Sequence, residues 1–190
     1  MTDRKNQIIK SATLLFSKNG YDNTSIRELA KAVDLSVAGL YYFFQNKEEI
    51  LFDILNHLLT ELLESVQSTI SGNADAQTNI TRIIERIVKE VVHNKMEIVL
   101  LLKESQRLKP DQLEIIRNKE RTVINLIKGE ISRLDDENRL KSLNLTSTTF
   151  ALLAIINFTR YWFNPNGPLS TSEFVAETTE LLFKGVLDHS

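Results

Sequence analysis

Apolar residues along this chain recur every three or four positions, the spacing of a helix that buries one face. Residues 3–19 place Ile8, Ile9, Ala12, Leu15 and Phe16 on one side, with Lys5, Lys10 and Lys18 elsewhere. Gly20 stands where a helix-terminating glycine is expected. Ser25 and Glu28 have the spacing of a capping box for a short helix reaching about Ala32. After a tight turn at Asp34-Leu35, Ser36 is the N-cap of another short helix that ends near Phe44. Asn46 and Glu49 fit a third cap. Ile50, Ile54, Leu58, Leu62 and Val66, spaced in fours, then predict a long helix from Lys47 toward Ile70.

The same periodicity predicts helices over residues 74–93, 96–108, 111–134 and 146–163, and a last one capped by Ser170 and ending near residue 187. Pro110 or Asp111 suits the start of the third of these. Residues 71–73, 135–141 and 164–168 read as loops. Six glycines and three prolines in 190 residues are too few for a turn-rich β protein, and no run alternates as a strand would. The expected fold class is therefore all-α, with about nine helices. A three-helix head over residues 1–46 precedes a helical body over residues 47–190.

Composition narrows the chemistry. The absence of cysteine excludes disulfides, thiol catalysis and cysteine-bound zinc. His57, His93 and His189 are scattered without metal-ligand spacing, and no nucleophile–base pair or glycine-rich phosphate loop is present, so neither metal, cofactor nor enzymatic activity is expected. The polar start from Thr2 to Gln7 does not resemble a signal peptide, and the longest apolar stretch, residues 98–102, is too short for a bilayer. A cytoplasmic protein with no membrane partner is the expectation. The formal net charge is −2, and residues 1–50 carry seven basic against six acidic side chains. Any nucleic acid must then be held by a local surface, not by a general positive field.

The head offers such a surface. Two short helices joined by a three- or four-residue turn form a helix-turn-helix, whose second helix fits a DNA major groove. Ile26, Leu29, Ala30, Val33 and Leu35 are the positions that pack the pair, and Leu40 and Phe44 face inward together. Tyr41, Tyr42, Phe43 and Phe44 cannot all turn inward on one helix, so Tyr41 and Tyr42 point out. A tyrosine ring can touch a thymine methyl while its hydroxyl meets a phosphate. Ser36 and Gly39 lie where backbone can approach base edges, and Val37 is directed outward beside them. Lys47 opens the next helix in position for a phosphate, and Arg27 is either a phosphate contact or a plain surface charge. The candidate DNA-facing set is Thr24, Ser25, Arg27, Ser36, Val37, Gly39, Tyr41, Tyr42 and Lys47.

The run Thr24-Ser25-Ile26-Arg27-Glu28-Leu29-Ala30-Lys31, then Leu35-Ser36, Gly39-Leu40-Tyr41-Tyr42-Phe43-Phe44 and Asn46-Lys47-Glu48-Glu49, resembles the DNA-binding domain of the TetR family of repressors. The resemblance covers about residues 3–55. It implies an all-α fold, a homodimer and a ligand pocket in the body, with Thr24, Ser36, Tyr41, Tyr42 and Lys47 at DNA-facing positions. Three positions depart from the pattern. Val37 stands where many members carry Lys or Arg, Phe43 where many carry Tyr or His, and Asp34 where glycine is common.

In the body, Phe150, Leu153, Ala154, Asn157 and Tyr161 share one face of the penultimate helix, and Phe174, Thr178, Leu181, Leu182 and Gly185 share one of the last. Pairing both helices with symmetry mates gives an isologous four-helix interface, and the last two helices usually make the dimer in this family. The stretch from Asn157 to Ser170 resembles a TetR subgroup that senses fatty acyl-CoA or related thioesters. That resemblance implies an effector apolar at one end and polyanionic at the other, with Asn157, Phe158 and Trp162 near it and a cation among Lys103, Arg121 and Arg160 at the mouth. Trp162 reads equally as an anchor beneath the 164–168 loop. The expected function is a ligand-responsive repressor with operator DNA, a small-molecule effector and a second copy of itself as partners. The alternative is an all-α small-molecule-binding protein whose head no longer binds DNA.

Overall fold

The computed structural model describes residues 3–136 and 144–186, with Arg160 and Val186 by their backbone alone. Among the described residues the chain forms nine α-helices and no strand: α1 (Asp3–Asn19), α2 (Ile26–Ala32), α3 (Val37–Phe43), α4 (Lys47–Thr69), α5 (Ala76–His93), α6 (Lys95–Glu104), α7 (Pro110–Asp136), α8 (Leu145–Trp162) and α9 (Thr171–Val186). A single 3₁₀ turn, Ser105–Arg107, follows α6 where the sequence pattern suggests one continuous helix. The charged loop expected over residues 135–141 lies outside the described residues from 137 onward.

The helix boundaries follow from their caps. Gly20 ends α1 at φ +87°, a left-handed conformation that glycine adopts without a side-chain clash, and its N–H donates to the Phe16 carbonyl at 3.0 Å. Asn46 caps α4 through Oδ1, which accepts from the Glu49 N–H at 2.9 Å, while the Glu49 carboxylate turns to the Gln45 N–H at 2.8 Å. The capping box expected there is thus half formed, with its return bond moved one residue earlier. Ser170 and Glu173 complete a full box at α9, which holds the Glu173 carboxyl below the usual carboxylate range.

The helices gather into two units. The first takes Met1–Thr60 and Met96–Asn118; its core includes Ile8, Ala12, Phe16, Leu29, Leu40, Phe44, Ile50, Leu51, Ile54 and Leu55. The second takes Glu61–Lys95 and Lys119–Ser190. In it α5 packs against α8 and α9, burying Ile80, Ile83, Ile84, Ile87, Val88 and Val91 along one stripe. Each of these side chains contributes about 1.5–3 kcal/mol of transfer free energy, offset by the ordering of the chain.

The second unit also contains a buried polar cluster that the apolar pattern does not disclose. Asn79 is fully buried; its amide donates to the Ser71 carbonyl at 3.0 Å and to Glu130 at 3.1 Å, and its oxygen accepts from the Ser71 N–H at 3.1 Å. Arg133 answers the Glu130 charge at 2.8 Å and donates to the Ala74 carbonyl at 3.0 Å. The cluster ties the 70–75 loop to α7. Asn79→Ala should therefore lower stability by about 2–4 kcal/mol in urea unfolding, because it leaves a buried carboxylate and two loop groups short of partners. A change under 1 kcal/mol, on the order of a surface substitution, would show that solvent satisfies them.

Candidate functional site

The helix-turn-helix is built from two short, strongly capped helices. In α2, the Glu28 N–H donates to Ser25 Oγ at 3.2 Å and the Ser25 N–H returns to the Glu28 carboxylate at 2.7 Å. These donors, backbone first, hold the exposed Glu28 carboxyl below its ordinary range. The chain leaves α2 through Val33 and reverses at Asp34, whose φ is +54°; the Leu35 N–H then bonds back to the Ala30 carbonyl at 2.9 Å. Asp34 tolerates this left-handed conformation better than most residues that carry a Cβ. Arg4 closes the end of α2 from outside, donating to the Val33 carbonyl at 2.6 Å. In α3, Ser36 Oγ accepts from the Gly39 N–H at 3.0 Å. A Cβ at Gly39 would meet that hydroxyl at 3.3 Å and the Leu35 side chain at 3.4 Å, so the glycine keeps the cap close.

Leu29, Ala30, Val33, Leu40 and Phe44 are buried between these helices and their neighbours, as the spacing predicts. The aromatic run divides as expected. Phe44 is buried beneath the Lys5 ammonium, which lies 4.9 Å from its ring centre, and Tyr41 and Tyr42 face solvent, Tyr42 at 85% exposure. Phe43 is half-buried and meets the Tyr42 ring edge-on at 5.2 Å. Ser25, Arg27, Ser36 and Val37 are exposed, and Gly39 is partly so.

Two positions depart from the expected DNA-facing set. Thr24 is fully buried; its hydroxyl donates to the Gly20 carbonyl at 2.8 Å, which fastens the α1–α2 turn from within. It is a corrected assignment, since the side chain presents nothing to a groove. Lys47 turns the same way. Its ammonium donates to the carbonyls of Tyr21 at 2.6 Å and Thr24 at 3.0 Å and sits 4.3 Å from the centre of the Tyr21 ring. Tyr21 is itself buried against Phe16, which pushes its hydroxyl well above the usual tyrosine range and keeps it neutral. A lysine in a first helical turn carries no sequence signal for this inward direction. Nor did the sequence disclose Arg107, which reaches Asp22 in the same turn at 2.5 Å.

The proposed effector residues do not converge. Lys103, Arg121, Asn157, Phe158 and Trp162 are exposed, and the Arg160 side chain lies outside the described residues. Trp162 packs edge-on against Phe163 and Phe174, at 5.8 and 5.6 Å, which favours the anchor reading. Two open clefts in the second unit are lined by other residues. One, of about 510 Å³, includes Lys89, His93, Pro165 and Thr171. The other, of about 570 Å³, includes Glu61, Ser65, Arg86 and Glu90.

The proposed pairing face is clearer on α8 than on α9. Phe150, Ala154, Asn157 and Tyr161 are exposed in register, Leu153 is half-buried, and Phe158 adds to the stripe. On α9, Leu181 and Gly185 are exposed and Leu182 is half-buried. Phe174 and Thr178 are instead buried within the protomer, a second correction, because α9 turns the Phe174, Val175, Thr178, Thr179 and Phe183 stripe toward its own core.

Two family models match this chain. Residues 8–54 match the bacterial regulatory proteins of the tetR family, and residues 73–186 match the tetracyclin repressor-like C-terminal domain. The chain belongs to the TetR family. Among TetR-family relatives, the HTH-type transcriptional regulator YhgD of Bacillus subtilis is 26% identical over 180 residues, 94% of each chain. The negative transcriptional regulator of the biofilm operon icaADBC, IcaR of Staphylococcus epidermidis, is 48% identical over 46 residues, 24% of this chain and 25% of its own. A crystal structure of AibR in complex with isovaleryl coenzyme A and operator DNA superposes with a TM-score of 0.85 at 24% identity, covering 95% of this chain and 98% of that one; this likeness is one of fold.

For this TetR-family head, the inward Lys47 makes a direct prediction. Lys47→Met should cost about 1.5–3 kcal/mol, the range for hydrogen bonds to a charged group, and should speed amide exchange over residues 20–26. Unchanged exchange there would mean that the ammonium stands in solvent.

Proposed function

We propose that this TetR-family regulator is a dimeric repressor that leaves its operator when a small amphipathic molecule binds its body. The observation that carries the DNA reading is the outward Tyr41–Tyr42 pair on a helix capped and packed to hold it rigid. Arg27, on the exposed side of α2, is suited to the phosphate backbone that the first helix of such a motif crosses. The head over residues 1–46 supplies this surface, and the body over residues 47–190 supplies the rest.

The exposed stripe of Phe150, Ala154, Asn157, Phe158 and Tyr161 supports pairing through α8, with Leu181 and Gly185 of α9 beside it. A row of large apolar side chains at more than half exposure is costly in water and is relieved by a second copy. Two heads so joined would lie about one helical turn of DNA apart, roughly 34–36 Å. An effector that prefers another head separation lowers DNA affinity by linkage. A fatty acyl-CoA is the effector we favour. Lys103 and Arg121 are exposed cations able to meet its phosphates, and the similarity to AibR shows that this fold accommodates a coenzyme A thioester in at least one protein.

Titration against the DNA immediately upstream of the gene tests this reading. Binding at about 10⁻⁸–10⁻¹¹ M at physiological salt, abolished by a long-chain acyl-CoA, is expected. Tyr41→Ala should cost about 1–3 kcal/mol of that binding without altering the dimer. Tight binding indifferent to acyl-CoA would remove the effector class alone. No binding to that or any duplex at low salt would leave a small-molecule-binding protein.

A further inference from the structure

The surface that α3 offers has an unusual chemistry for a DNA reader. Its exposed side chains are Ser36, Val37, Ala38, Tyr41 and Tyr42. None carries a guanidinium, an ammonium or a carboxamide. Guanine is ordinarily selected in the major groove by a bidentate Arg or Lys, and adenine by a bidentate Asn or Gln. α3 has none of these, and no acid to accept from cytosine. The cations nearest in sequence are placed elsewhere: Arg4 caps α2, Lys5 pairs with Asp53 at 2.5 Å, and Lys47 is turned onto the α1–α2 turn. The hydroxyl of Ser36 is already engaged as a cap. Single hydroxyls, as on Tyr41 and Tyr42, bond to several base edges and discriminate weakly.

What remains distinctive is apolar surface: the Val37 isopropyl group, the Ala38 methyl and two tyrosine rings. The major-groove feature that such surface can select is the C5-methyl group of thymine, which no other standard DNA base carries. We infer that α3 chooses its operator by thymine methyl groups, contacted by Val37, Ala38, Tyr41 and Tyr42, and not by paired hydrogen bonds to purine edges. This inference rests on the proposal that the head binds DNA. Burying one methyl group corresponds to about 0.8 kcal/mol, so each contacted thymine should be worth about fourfold in affinity.

Replacing thymine by uracil removes this methyl and leaves every hydrogen-bonding edge intact. The test is therefore a titration of the full chain against its bound duplex, with thymines replaced by uracil singly and then throughout. At least one single replacement in each half-site should weaken binding about fourfold, and replacement throughout should weaken it more than tenfold. Val37→Ala, at a partly exposed position whose truncation leaves the head folded, should shrink the thymine-to-uracil ratio at one position while leaving the others unchanged. Equal affinity for the thymine and uracil duplexes overturns methyl reading but keeps DNA binding, more so if 7-deazapurine substitution weakens the complex. Failure to bind either duplex at low salt overturns DNA binding itself, and this inference with it.

Discussion

The head depends on the Lys47 ammonium resting against the carbonyls of Tyr21 and Thr24. The α1–α2 turn leaves these carbonyls outside any helix, and a lysine has three donors with which to satisfy them. Lys47 also opens α4, only a few residues after the end of α3. One side chain therefore fixes the start of the long helix to the turn that launches α2. At seven residues each, α2 and α3 are too short to persist by propensity, so they exist only because caps, core and this clamp hold them. The neutral Tyr21 ring beneath the ammonium adds a cation–π contact that a charged phenolate environment would not need.

Most of the helical frame could be read from the chain because its signals are local. Ser25 with Glu28, Asn46 before Glu49, Ser170 with Glu173 and Gly20 each mark a boundary by short-range chemistry. The site was less legible where direction depends on tertiary packing. Thr24 and Lys47 both turn inward because the α1–α2 turn presents carbonyls that only the folded head brings together. On α9, apolar residues occupy more than one stripe, and sequence periodicity does not choose which stripe meets α5 and which meets solvent. Phe174 and Thr178 went to the core, leaving Leu181 outside. The Asn79–Glu130 pair spans 51 positions, beyond any local pattern.

The distribution of charge links these findings to function. Arg4, Lys5 and Lys47 do structural work inside a head whose overall charge is close to neutral. The outward face of α3 keeps hydroxyls and apolar groups, while Arg27 and Lys31 remain exposed on α2. Positioning on the phosphate backbone and choice of sequence are thereby given to different helices. Affinity in such a head comes less from counterion release than in a basic one, and more from shape and apolar contact.

The most direct measurement is a selection of the full chain against random duplexes at physiological salt, followed by sequencing of the bound fraction. Enrichment of one site with two-fold symmetry, its half-sites about one helical turn apart, is the predicted result. A bound fraction indistinguishable from the input would contradict the central claim that the face from Ser36 to Tyr42 is a sequence-reading surface.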